Sequence, residues 1–356
     1  MSTVVLATSN GTGLGHLTRC MAIARRLPSG VRPVFLTLSQ ALPVAVAEGF
    51  HCEFLCSYEY GTMPADQWNA ALSRRLAHVV DTYAPEVVVF DAVSAYPGLM
   101  DAVDRLPDTR FVWLRRAMWK PDMGGEQLRH GPRFHAVLEP GEYAAEADRG
   151  PTVSRRARAH RVAPTVYLSP DELADRDTAA RELGLDPDRP AALVQLGSGN
   201  VRFVESAAGQ VVRRLRDAGM QVAVAESVIV GSQLDLPDDV HRARVYPLSR
   251  YARAFDLAVA APGYNLFHEA MAYALPTLLL PKPDSGRDDQ AGRAAWAQSA
   301  GLAVTADAED AASRTAGLER ILDADLRADL RTAMSALPPA VGGEQAAAWL
   351  ARLAAG

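Results

Sequence analysis

The chain has 356 residues, too many for one ordinary hydrophobic core and enough for two domains of typical size. Hydrophobic residues make up 49% and charged residues 22%, an ordinary globular composition, and the net charge of -5 argues against a nucleic-acid polyanion as partner. No apolar run reaches the length of an integral membrane segment, and Met1-Ser2-Thr3 lacks the basic start of a secretory signal.

From the N-terminus, Val4-Val5-Leu6-Ala7-Thr8 reads as a buried strand running into Gly11-Thr12-Gly13-Leu14-Gly15-His16, after which Leu17, Met21, Ala24 and Leu27 recur at helical spacing. Strand, glycine turn and helix in succession set a helix start beside the strand's carboxyl end, where ligands bind in open α/β sheets. The turn departs from a dinucleotide fingerprint, because after Gly11 and Gly13 the pattern requires glycine where this chain has His16. The ribose-binding acid expected about 20 residues further on is also missing, since the next strand, Val34 to Leu38, ends in Ser39-Gln40. A nicotinamide cofactor is therefore disfavoured.

Strands are predicted at 3–8, 33–38, 52–55, 86–90 and 110–114, with helices at 15–27, 40–48, 66–83 and 95–105. Near-continuous runs such as Val87-Val88-Val89-Phe90 mark strands buried on both faces, so this half reads as one doubly wound parallel domain. Between about 139 and 170 the character changes to Glu139-Pro140-Gly141, the basic run Arg155-Arg156-Ala157-Arg158, Pro164 and Pro170, which reads as a solvated linker helix. Alternation then restarts, with strands at 191–196, 221–225, 243–246, 257–260 and 276–280 and a helix at 203–218. The expected organisation is a domain over 1–163, a second over 164–337 and a terminal segment, 338–356, whose helix from Glu344 to Leu353 crosses back onto the first. Paired α/β domains of this kind usually hold their ligand between them. The odd cysteine set, Cys20, Cys52 and Cys56, contains no C-x-x-C pair and fits a reducing cytoplasm.

Three stretches of the second half carry candidate chemistry. Gly197-Ser198-Gly199, between a strand and a helix, is an anion site in which glycines let backbone N–H groups approach a phosphate. In Pro262-Gly263-Tyr264-Asn265-Leu266-Phe267-His268-Glu269, proline and glycine end a strand and Glu269 falls in the first turns of the next helix, where a carboxylate can accept two hydrogen bonds from a vicinal diol such as a ribose. His268 beside it reads as a packing residue. The polar loop Lys282 to Gln290 is rich in groups that bind sugar hydroxyls. Neither an H-E-x-x-H motif nor a Cys/His cluster occurs, so no metal site is expected.

Taken in order, Gly13-Leu14-Gly15-His16-Leu17-Thr18-Arg19, Gly197-Ser198-Gly199, Gly263-Tyr264-Asn265 with Glu269, and Asp289-Gln290 resemble the GT-B glycosyltransferases. Within them the chain is similar to the family 28 and family 1 group, which contains the peptidoglycan lipid-intermediate N-acetylglucosaminyltransferase and bacterial natural-product enzymes. The resemblance covers nearly the whole chain and is most specific over 260–303. It implies two Rossmann-like domains and metal-independent, inverting sugar transfer from a nucleoside diphosphate sugar, UDP-based by preference, to an acceptor hydroxyl on a small molecule. The nucleotide sugar is a co-substrate, so no cofactor is implied. In the C-terminal domain Glu269 would bind the ribose, Ser198 with the backbone of Gly199 and of Gly263, Tyr264 and Asn265 the diphosphate, and Asp289 with Gln290 the sugar hydroxyls. Val245 and Tyr246 match the place where such enzymes seat the base. The N-terminal domain would take the acceptor near Gly13, Leu14, Gly15 and Trp119.

Attack of a hydroxyl on an anomeric carbon passes through an oxocarbenium-like state and is helped by a base near the hydroxyl and by stabilisation of the departing diphosphate. His16, with an ordinary pKa near 6.5, suits the base. Asp91, immediately after the Val87-to-Phe90 strand, is its candidate orienting partner. Longer glycine and glutamine signatures in the peptidoglycan members stand here as Gly-Ser-Gly-Asn and Asp-Asp-Gln, which speaks against a lipid-linked muropeptide acceptor. Two other readings stay open: a UDP-sugar 2-epimerase, which shares the fold, and a non-catalytic nucleotide-sugar-binding protein.

Overall fold

The computed structural model describes residues 1–9, 13–197, 201–229 and 236–356, and over 201–207 the backbone only. The chain divides into two compact units, Met1–Tyr167 with Val341–Gly356, and Leu168–Ala340. Among the described residues no helix is long and apolar enough to cross a membrane.

The first unit is built on seven parallel strands: β1 (Ser2–Thr8), β2 (Val31–Thr37), β3 (His51–Phe54), β4 (Val87–Asp91), β5 (Arg110–Leu114), β6 (Ala136–Glu139) and β7 (His160–Arg161), in the order β3-β2-β1-β4-β5-β6-β7. The valine-rich strands carry no polar alternation because both sheet faces are covered, and every residue of β4 is buried. Trp68, Leu72, Leu76 and Val79 line one side of the Ala65–Tyr83 helix and pack with Val88 and Phe90 of β4 in one core. The order of strand addition reverses between the parallel neighbours β1 and β4: β2 lies beyond β1 on one side and β5 beyond β4 on the other. The carboxyl ends at such a switch point open a crevice for a ligand.

The second unit repeats the plan with six parallel strands: β8 (Ala191–Gln195), β9 (Gln221–Ala225), β10 (His241–Ala243), β11 (Leu257–Ala260), β12 (Thr277–Leu279) and β13 (Val304–Thr305), in the order β10-β9-β8-β11-β12-β13. Its switch point falls between β8 and β11.

The structure differs from the sequence reading at the weakest signals. Strands β6, β7 and β13 are only two to four residues long, too short for a periodic pattern to show. Strand β10 ends at Ala243, so Val245 and Tyr246 lie beyond it, ahead of a cis Tyr246-Pro247 bond. The basic run is not a freely solvated helix. Arg155 and Arg158 are exposed, but the 3-10 turn Pro151–Arg158 turns Arg156 inward, onto Asp148 and, at 3.1 Å, onto Glu139, whose other oxygen holds buried Arg115 at 2.7 Å. A buried carboxylate with two guanidinium partners is satisfied, which is why charge can enter this interior.

The terminal helix Gly342–Ala354 belongs to the first unit and lies against the Gly15–Ala24 helix. Its two leading glycines allow the approach: a Cβ on Gly342 would stand 1.9 Å from the Ala163 carbonyl oxygen, and one on Gly343 3.2 Å from that of Ala22. Arg26 Nε to Glu344 Oε1 at 2.6 Å and Arg110 Nη1 to the Leu353 carbonyl at 2.6 Å fix its two ends.

Candidate functional site

At the switch point of the first sheet, Thr8 at the end of β1 pairs in register with Asp91 at the end of β4. Asp91 is therefore a strand residue, its backbone oxygen accepting from Ser9 N at 3.0 Å, which points its side chain with little freedom. His16 is the second residue of the Gly15–Ala24 helix, and its Nδ1 stands 2.8 Å from Asp91 Oδ1. Arg19, one turn further along, places Nη2 2.7 Å from the same oxygen and 3.1 Å from His16 Nδ1, while the Cys20 thiol faces Asp91 Oδ2 at 3.9 Å.

The charges decide the proton positions. Burial pushes the Asp91 carboxyl up, but the Arg19 guanidinium and His16 outweigh it and hold the group below its ordinary range, so it is ionised. An ionised Asp91 accepts from both neighbours, which makes His16 Nδ1 a donor, Arg19 a donor to the carboxylate, and His16 Nε2 the atom with a free lone pair. Burial lowers the pKa of His16; Asp91 opposes this, and Arg19 and Arg116 reinforce it. The imidazole is consequently neutral at pH 7 with its basic nitrogen turned away from the carboxylate. Burial together with Asp91 holds the Cys20 thiol protonated, so it is a packing group here and not a nucleophile.

Gly13, Leu14 and Gly15 lead into this helix, and Gly15 is exposed. Gly11 and Thr12 lie outside the described residues. Trp119, expected at an acceptor surface, is instead a core residue: it is 1% exposed and packs with its ring centroid 6.5 Å from Trp113. An aromatic ring in a polar loop looks like a ligand contact until the neighbours that bury it are known.

In the second unit, Gly197 follows β8 and Gly263 precedes the Tyr264–Ala272 helix that follows β11, so both glycine turns stand at the second switch point. Ser198 and Gly199 lie outside the described residues. Tyr264 is buried, while Asn265 and Glu269 are half-buried on the helix that starts there. His268 is fully buried, with Nδ1 2.7 Å from the Tyr264 carbonyl oxygen, and serves packing. Asp289 caps the Gln290–Ser299 helix by accepting from Gly292 N at 2.9 Å. Gln290 Oε1 accepts from Lys282 N at 3.1 Å, and its Nε2 lies 3.9 Å from where a Cβ on Gly263 would stand.

No family model matches the chain. Among curated proteins it is 34% identical over 185 residues to the UDP-N-acetylglucosamine–N-acetylmuramyl-(pentapeptide) pyrophosphoryl-undecaprenol N-acetylglucosamine transferase of Cutibacterium acnes, over 49% of each chain. The chain spans about half the length, or less, of the curated relatives it matches. Over whole structures it superposes on Acinetobacter baumannii MurG with a TM-score of 0.63 at 13% identity, covering 99% of this chain and 100% of that one. It superposes on Phytolacca americana UGT2, complexed with UDP-2fluoro-glucose and pterostilbene, with a TM-score of 0.68 at 10% identity and full coverage of both. The chain has the GT-B glycosyltransferase fold.

Sequence reasoning passed over three residues at the strand ends of this GT-B molecule. Arg19 closes the first motif but carries no role there. Lys282 was part of a polar loop. Arg293, wholly buried, donates from Nη1 to the Pro262 carbonyl at 2.7 Å and from Nη2 to Asp288 Oδ1 at 3.1 Å, tying the turn after β11 to the loop ahead of Asp289. The usable signal lay in position: each falls within a few residues of a motif that was recognised.

Proposed function

We propose that the protein is a glycosyltransferase that moves a sugar from a nucleoside diphosphate donor, UDP-linked by preference, to a hydroxyl of a small-molecule acceptor, with inversion and without a metal ion. The observation that carries this reading is the His16–Asp91 pair at 2.8 Å, set at the switch point of a GT-B sheet with Nε2 left as the basic atom. The Cutibacterium relative is named as a sugar transferase using a UDP-sugar, which supports the donor class.

In this mechanism His16 Nε2 takes the proton of the acceptor hydroxyl as its oxygen bonds to the anomeric carbon. The bond from that carbon to the diphosphate oxygen breaks with its electron pair, and the nucleoside diphosphate leaves. Asp91 holds the tautomer and offsets the charge of the imidazolium that forms. Arg19 keeps Asp91 ionised through the cycle. On the donor side Glu269 accepts from the ribose hydroxyls, Ser198 with the backbone of Gly199 and of Gly263, Tyr264 and Asn265 binds the diphosphate, Asp289 and Gln290 bind the sugar hydroxyls, and Val245 and Tyr246 flank the base. A group positioned as general base contributes about 10²- to 10⁴-fold to rate.

The test is nucleoside diphosphate release from UDP-glucose and UDP-N-acetylglucosamine, with and without a panel of hydroxylated acceptors, in native protein and in His16→Ala. Acceptor-dependent release that persists in chelator and falls by about 10² or more in the variant, with UDP affinity by calorimetry within about twofold, is the expected result. Undiminished turnover in His16→Ala would remove His16 from the role of base. An isomerised nucleotide sugar formed without acceptor would replace transfer by epimerisation.

A further inference from the structure

The second switch point holds a positive charge that the reading above leaves unused. Gly197, at φ 76°, turns the chain out of β8 in the left-handed region. A Cβ placed on it would stand 2.9 Å from Lys282 Nζ and 3.3 Å from Lys282 Cε, so the ammonium lies directly against the bare Cα of the glycine turn. The lysine arrives there from the next-but-one strand of the sheet, three residues after Leu279 at the end of β12. Its root is fixed, since its own N–H donates to Gln290 Oε1 at 3.1 Å and Gln290 in turn lies beside Gly263. Both glycine turns are thus connected to one lysine.

Composition adds a second argument. Of 37 basic residues only Lys120 and Lys282 are lysines, so arginine supplies positive charge almost everywhere else in the chain. A guanidinium is planar and forked, whereas an ammonium is a compact charge with three rotatable donors, and only the compact group fits closely over a glycine turn and still addresses a phosphate in the crevice.

We propose that Lys282 is a donor-binding residue that contacts the diphosphate of the nucleotide sugar over the Gly197 turn and stabilises it as it departs; this rests on the nucleotide-sugar reading above. Partial burial lowers the pKa of the ammonium from its ordinary 10.5. A preformed positive charge aimed where negative charge develops acts on the leaving group and not only on affinity. The bond from the anomeric carbon to the diphosphate oxygen breaks, its electron pair stays on the diphosphate, and Lys282 donates to that oxygen without giving up its proton.

The experiment is calorimetric titration of native protein, Lys282→Gln and Lys282→Arg with UDP, UMP and uridine, with dTDP and GDP as alternative diphosphates, after thermal melting has confirmed that each variant is folded. The expected result is a loss of at least about tenfold in diphosphate affinity for Lys282→Gln, a smaller loss for the monophosphate and no change for the nucleoside. The salt dependence of diphosphate binding should flatten in the same variant, and Lys282→Arg should recover only part of the loss. Diphosphate affinity unchanged in folded Lys282→Gln, or an equal loss for uridine, overturns the assignment while leaving the donor reading standing. Native protein that binds none of these nucleotides overturns both.

Discussion

The two switch points of the molecule do opposite things with the same architecture. At the first, side chains face one another: His16, partly exposed, and buried Arg19 both reach one oxygen of buried Asp91, and the backbone serves only to hold them. At the second, side chains hold the backbone. Gln290 takes the Lys282 N–H, Arg293 takes the Pro262 carbonyl and Asp289 caps its helix, which fixes the backbone ahead of Gly263, at Lys282 and ahead of the Gln290–Ser299 helix. Under the proposed function, the difference matches what each end of a sugar transfer would need. A proton acceptor needs one lone pair fixed in direction, and that takes a chain of hydrogen-bonded side chains. A diphosphate spreads its charge over several oxygens and is met by N–H groups that only glycine lets close enough.

The comparison predicts that damage at the first point falls on turnover and stability and that damage at the second falls on donor binding. The largest effect is expected from Asp91→Asn. It leaves buried Arg19 without its counter-charge, at a cost of about 3 kcal/mol in chemical denaturation, and misorients the base, lowering kcat by about 10²-fold or more. A variant as stable as the native protein would mean that the Arg19–Asp91 pair is not held in a dry interior. Next comes Arg293→Ala, which unties the turn after β11 from the donor loop. The KM for donor should rise by about tenfold with kcat changed far less, and a pure kcat defect would erase the distinction drawn between the two sites. The smallest effect is a displacement of the pH profile. Because His16 is held below its ordinary pKa, chiefly by burial, kcat/KM should be flat at pH 7 and fall only as pH drops below 6.5 through the lowered value. In Asp91→Asn the carboxylate that opposes the lowering is gone, so the acid limb should move further down. A limb centred above 6.5 would show that His16 is not the titrating base.

Much of this was legible in the chain because the responsible patterns are local. An apolar run, a glycine turn and a helical repeat fall within the first 27 residues and bring His16 to a strand end; Val87 to Phe90 does the same for Asp91. What was not legible depends on distant neighbours. Arg19, Arg293 and Arg156 look like surface arginines, and their burial is set by Asp91, Pro262, Asp288, Glu139 and Asp148, with separations up to 72 residues. Trp119 was misjudged for the same reason, since Trp113 and the core around it decide its exposure.

The terminal helix implies an order of assembly. The first unit is made from two pieces of chain, Met1–Tyr167 and Val341–Gly356, with all of Leu168–Ala340 between them. During synthesis the second unit can therefore close its own sheet while the first still waits for its last element. Ala346, Ala347, Leu350 and Ala354 are buried only when that helix docks beside the helix that carries His16. The helix that carries His16 thus gains its full support only from a segment that follows the whole of the second unit in sequence.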